Sequence, residues 1–194
     1  ANDTKIVFDG NAQDYHIGLD DSSDKLVIGK GTALGTTTSM SFDENGIITK
    51  PLQPAFHIHK NGTNQDNIAI NGENIVWSNG RFDNNSDFDL TENRFNAPVT
   101  GKYFLQIQVR FDYLDTAANY YQLSIITSNQ TYYTILDPDY FDSDAIYYTM
   151  GFSVFADMDV SDTASIAIAQ SGGTSQTDIN GQAIYTWFAG YLVC

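Results

Sequence analysis

With 194 residues, 42% of them hydrophobic, the chain can build one sizeable core plus a small appendage, which excludes disorder throughout. Its 24 acidic residues against nine basic ones give a formal charge of −15, which repels phosphate backbones and argues against a nucleic-acid partner. A single cysteine, Cys194, excludes a disulfide within the chain, and no apolar run is long enough for a membrane-spanning helix, so no membrane insertion is expected.

Aromatic residues reach 13%, which favours strands, and no window carries a sustained helical period, so an all-β protein is expected. The N-terminus, ANDTKIVFDG, has neither a basic region nor an apolar run, so no signal peptide is expected. Without an initiator Met the chain reads as processed or as a fragment. Residues 1–51 read as a β-rich shaft or attachment segment. Short apolar bursts (Ile6-Val7-Phe8, Tyr15-His16-Ile17, Leu26-Val27-Ile28, Ile47-Ile48) alternate with Gly, Asp, Ser and Thr, and Asp9-Gly10 and Asn45-Gly46 are tight-turn signals. None of these bursts buries a core alone. The segment therefore either intertwines with copies of itself or remains a partly ordered linker.

Pro51 and Pro54 mark a boundary, and residues 54–194 form the second domain. Strands are expected at 55–59, 68–70, 74–78, 88–90, 94–97, 103–111, 120–126, 132–136, 145–155, 165–169 and 183–193. Many short strands separated by Asn-Gly turns describe a sandwich or jelly roll. The clearest strand follows Gly101, where Tyr103, Leu105, Ile107, Val109 and Phe111 share one face and Lys102, Gln106, Gln108 and Arg110 mostly share the other. The pairs Tyr120-Tyr121, Tyr132-Tyr133 and Tyr147-Tyr148 place aromatics on both faces of their strands. One face fills the core; the other is covered by a subunit interface or stands in water.

Ahead of the long strand, Trp77, Asp83, Phe88, Phe95, Gly101 and Tyr103 follow at intervals of six, five, seven, six and two residues. Together with the Pro98 turn, this order resembles the signature of the C1q-like domain, the jelly roll shared by complement component C1q and the tumour necrosis factor superfamily. Pro54-Ala55-Phe56 resembles its first strand, and the run from Trp187 through Phe188 and Gly190 to Leu192 resembles its last. Trp77, Leu105 and Ile107 depart from the family's Phe or Tyr but keep size and apolarity. The resemblance implies a ten-stranded C1q/TNF-like jelly-roll sandwich that assembles as a homotrimer.

No collagen-like Gly-X-Y stalk precedes it. Residues 14–51 instead are similar to segments that precede C1q-like heads in tail-fibre and other structural proteins of marine bacterial viruses. This second resemblance implies a non-enzymatic trimeric head of a bacteriophage tail or capsid fibre, at a virion or extracellular surface. Residues 1–51 would then hold other virion proteins, and the head would recognise a host surface glycan or protein. A purely structural or decoration subunit, and a glycan hydrolase, are the alternatives.

The residues offer little catalytic chemistry: no Gly-x-Ser-x-Gly, no His-Glu-x-x-His and no phosphate loop. Cys194 lies too near the end to read as a positioned nucleophile, so no enzyme is expected, although abundant carboxylates leave a glycosidase pair open. Exposed loops are the natural binding elements. Asn84, Asn85 and Asp87 in one loop, and Asp139 with the stacking aromatics Tyr140 and Phe141 in another, are the candidate ligand contacts. Calcium needs six to eight oxygens, and Asp137, Asp142 and Asp144 are candidate ligands without an EF-hand pattern, the alternative being a solvated loop. His57 and His59 lie two apart on one strand face. Three copies would bring six imidazoles to an axis, enough for a transition metal, the alternative being a solvent-facing pair opposite Phe56 and Ile58.

Overall fold

The computed structural model describes residues 2–194, which form two compact units divided between Gln53 and Pro54. The first is a five-stranded antiparallel meander of β1 (Thr4–Phe8), β2 (Tyr15–Asp20), β3 (Lys25–Lys30), β4 (Thr38–Phe42) and β5 (Ile48–Thr49), in that order. Its turns follow side-chain chemistry. The Asp43 carboxylate accepts from the N–H of Asn45 and Ile47, while Gly46 supplies the left-handed conformation (φ 77°) that the tight turn requires.

The second unit is a sandwich. Its strands are β6 (Ala55–His59), β7 (Glu73–Asn74), β8 (Asn79–Asp83), β9 (Phe88–Asp89), β10 (Arg94–Asn96) and β11 (Gly101–Leu114). They continue as β12 (Ala118–Thr127), β13 (Thr131–Leu136), β14 (Ala145–Met158), β15 (Thr163–Gly172), β16 (Asp178–Ile179) and β17 (Trp187–Leu192). One sheet runs β14-β11-β17-β6-β8, with β16 beside β11; the other runs β13-β12-β15-β10-β9, with β7 beside β15. Each path has five strands, so the sandwich is a ten-stranded jelly roll with two short additions.

Alternation along β11 builds the core as expected. Tyr103, Leu105, Ile107, Val109 and Phe111 are buried and meet Leu123, Ile125, Ile166 and Ile168 of the facing sheet in one cluster. At one end of the core, Phe95 stacks on Phe56 (centroids 4.7 Å), Phe88 and Phe188 close round the same ring, and Trp77 lies against Phe188. Phe88 and Phe95 are direct cross-strand partners. Gly101 and Gly190 are close-approach positions: a Cβ on Gly101 would lie 2.6 Å from the Cys194 carbonyl oxygen.

The elements depart from the sequence reading in three places. Ile68, Ile75 and Trp77 are buried but lie outside strands, and their backbone N–H groups donate to Thr177 O, Ile166 O and Asn93 Oδ1 respectively. Residues 183–186 form a turn anchored on Gln182 O, so the last strand begins at Trp187. Residues 79–83, read from sequence as loop, form β8, an exposed edge strand whose polar composition hides it.

Candidate functional site

The outward face of the β14-β11-β17-β6-β8 sheet carries a row of aromatic rings. Phe104 points outward from β11 and stands in register with Phe155 of β14 and Tyr191 of β17, with ring centroids 5.4 and 5.5 Å away. Beyond Tyr191 the outward side chains shrink to Ala55 and Ala189, and Phe82 rises again from β8. The small residues between the rings leave a hollow of about 290 Å³ lined by Phe82, Phe104 and Tyr191. Phe155 is 67% exposed and Phe82 50%. Fully burying one such ring is worth about 1.5–3 kcal/mol, so a partner that covers this row gains several kcal/mol.

A polar belt adjoins the hollow. His57 packs between Phe82 and Trp187, stacked on the indole at 5.3 Å, and its Nδ1 is shut off from water without a hydrogen-bond partner. Burial, with Arg81 adding to it, lowers the His57 pKa below the ordinary histidine value. Farther along, Arg110 pairs with Asp112 at 2.7 Å and lies between the rings of Tyr147 and Tyr185, 4.2 and 4.4 Å from their centroids. These contacts hold the Arg110 pKa above its usual value, with the Asp112 hydrogen bond as the main cause.

The end strands β13 and β14 also carry exposed apolar side chains. Tyr133 and Ile135 project from the outer face of β13, Tyr147 from the outer face of β14 beside Arg110, while Tyr132, Leu136 and Tyr148 turn inward against the core. Each tyrosine pair thus splits as the alternation requires, one ring in and one out.

The loop residues fare unevenly. Asn84 and Asn85 are exposed, and Asn85 donates to Asp87 Oδ2 at 3.2 Å; burial raises the Asp87 pKa above the ordinary carboxylate value. In the 137–144 loop, Tyr140 is 89% exposed and Asp139 also faces solvent. Phe141 instead packs edge-on against Tyr148 at 5.4 Å and joins the core, which removes it as a free stacking ring. Asp137 accepts from Asp139 N at the head of a short 3-10 turn, Pro138–Tyr140. Asp144 accepts from Thr116 N, Thr116 Oγ1 and Gln176 Nε2, and these bonds, Thr116 N foremost, lower its pKa.

Asp137 and Asp144 are therefore committed to separate local tasks, and Asp142 is exposed. Among the described residues no three His, Cys, Asp or Glu side chains gather to hold a metal ion. His57 and His59 do share a face, with ring centroids 6.5 Å apart, but His59 Nδ1 is tied to Lys60 O at 2.9 Å. On His59 that leaves Nε2 for a metal, and with His57 the pair would still need further ligands from other copies.

Phe82, Phe104, Phe155 and Tyr191, the most consequential of these residues, did not stand out in the sequence. The signal was the outward phase of the same alternation that revealed the core.

No family model matches the chain, and no curated protein matches it. Solved structures do. The globular domain of zebrafish complement 1qA protein is 13% identical, with a TM-score of 0.52 over 73% of this chain and 98% of that one. Murine APRIL is 10% identical, with a TM-score of 0.53 over 73% of this chain and 99% of its own. At such identities the likeness concerns the fold, which is the C1q/TNF-type jelly roll. Among the described residues no helix is long and apolar enough to cross a membrane.

Proposed function

We propose that the chain is the non-enzymatic, homotrimeric head of a bacteriophage tail or capsid fibre that attaches the particle to a host surface. The observation that carries the trimer is the aromatic row of Phe155, Phe104 and Tyr191, with the hollow beside it, on the outer face of one sheet. Rings as exposed as Phe155 and Phe82 are what a subunit interface covers. Around a threefold axis such a contact is heterologous, and heterologous contacts that close form rings. The C1q/TNF-type fold supports a ring of three, in keeping with the sequence resemblance on Phe88, Phe95, Gly101 and Tyr103.

The viral setting draws on the similarity of residues 14–51 to segments that precede such heads in phage fibres. Attachment draws on the loops that remain open once the apolar surfaces are covered. Tyr140, almost fully exposed, can stack on a sugar ring or a partner side chain, and the exposed Asn84 and Asn85 lie in the second candidate loop. Labelled trimer should bind host cells and compete with intact particles, and Tyr140→Ala should weaken binding without altering thermal stability. Trimer that binds no host cell would instead support a purely structural subunit.

A further inference from the structure

The N-terminal sheet has two unlike faces. On one, His16, Gly18, Asp20, Val27 and Gly29 are buried, and the 31–37 loop lies against His16, Asp20 and Gly29. His16 Nδ1 lies 2.9 Å from Gly31 O, Lys30 N donates to Thr37 O, and a Cβ on Gly35 would lie 3.0 Å from the Asp20 carboxylate. On the other face the antiparallel registers align apolar side chains into rows. Ile6, Ile17, Ile28 and Met40 form one row across four strands. Leu19, Leu26, Phe42 and Ile48 form the next, and Phe8 opposite Tyr15 closes the end. The polar members of this face are Thr4 and Lys30, both at its margin. Ile6, Phe8, Leu19 and Ile48 each expose more than half their surface. A sheet with one continuous apolar face must bury it against something.

Size and shape say what covers it. Five strands about 4.8 Å apart, each about five residues long at about 3.4 Å per residue, make a face roughly 19 by 17 Å, or about 320 Å². A free-standing interface needs about 800 Å² per partner, so this face is too small to capture an independent protein. It is enough for partners already tethered, since tethering raises the effective concentration to about the millimolar range. Copies joined through their heads are tethered in that way. Three faces about 19 Å wide also close into a triangular prism whose sheets lie about 5.5 Å from the axis, half the roughly 10 Å at which sheets normally pack. The charge distribution permits the approach. Each chain carries −15 overall, yet this face bears no carboxylate.

We infer that the apolar faces of three N-terminal sheets pack on one another, a second self-association site separate from the sandwich unit. The inference rests on the head trimer proposed above and adds to it another place where the copies meet. The test uses the full chain with Cys194→Ser and one new cysteine. Leu19→Cys marks the apolar face, and Thr49→Cys, on the opposite side of the same sheet, is the reference. Native mass is recorded alongside the rate of thiol labelling. Burial of Leu19 by neighbouring copies predicts labelling at least about tenfold slower than at Thr49, with the difference abolished in denaturant. Equal rates in an intact trimer would overturn the inference and leave the head trimer standing. A monomeric protein would overturn both. Met40→Cys, in the adjoining row, repeats the measurement if Leu19→Cys does not fold.

Discussion

The carboxylate of Asp83 accepts a hydrogen bond from the backbone N–H of Phe88 at 2.9 Å and another from Asp87 N at 3.0 Å. One side chain thus closes the 84–87 loop, holds Ser86 in the left-handed region (φ 60°), and delivers Phe88 to the core. From sequence alone Asp83 reads as an anchor of the signature that adjoins the candidate loop of Asn84, Asn85 and Asp87. The geometry makes it an anchor. Asp83→Ala leaves two donors without their partner and is predicted to cost about 1–2 kcal/mol, measured by urea unfolding. Asp83→Asn keeps one acceptor oxygen and should cost less.

Gly190 gives a steric prediction. A Cβ there would lie 2.7 Å from Leu105 Cδ2, 2.9 Å from a Phe56 ring carbon and 3.0 Å from Phe104 O. The last contact is backbone and cannot rotate away. Gly190→Ala is therefore expected to destabilise the sandwich by about 1–3 kcal/mol as an overpacked core position, read as a lower urea midpoint with an unchanged slope.

His57 gives stability a pH dependence whose sign follows from its burial. An unfolded histidine titrates near 6.5, and the folded value lies below it. Between the two values the unfolded state binds more protons, so stability is full above pH 6.5 and falls as pH drops through the folded pKa. His57→Leu should flatten that part of the stability profile, as measured by thermal unfolding across a pH series.

A chelator tests whether metal supports the fold. Because Asp137 and Asp144 serve local hydrogen bonds and no three-ligand group is present among the described residues, EDTA should leave the unfolding temperature unchanged. A drop of several degrees, restored by added calcium, would place an ion between copies.

The jelly roll was legible because its evidence lies within single strands. The alternation from Tyr103 to Phe111 survives whatever the neighbours are, and the spacing from Trp77 to Tyr103 carries the aromatic cluster around Phe56. What the sequence concealed depends on register. Ile6, Ile17, Ile28 and Met40 sit in four different short bursts, and only the pairing of β1 to β4 puts them on one face. Phe104, Phe155 and Tyr191 likewise become a row through cross-strand alignment. Phe141 looked free because its contact with Tyr148 spans a turn, and Asp144 looked available because Thr116 and Gln176 are far away in the chain.

The trimer proposed on the Phe104 face is tested most directly by native mass spectrometry of the wild-type chain beside Phe104→Glu, which would set a buried charge in the middle of the aromatic row. The predicted result is a wild-type particle of three times the 21.5 kDa chain mass. In the variant, the head contact should be lost while the fold, followed by circular dichroism, is kept. A wild-type protein that stays at a single chain's mass, or a Phe104→Glu trimer as stable to dilution as wild type, would contradict it.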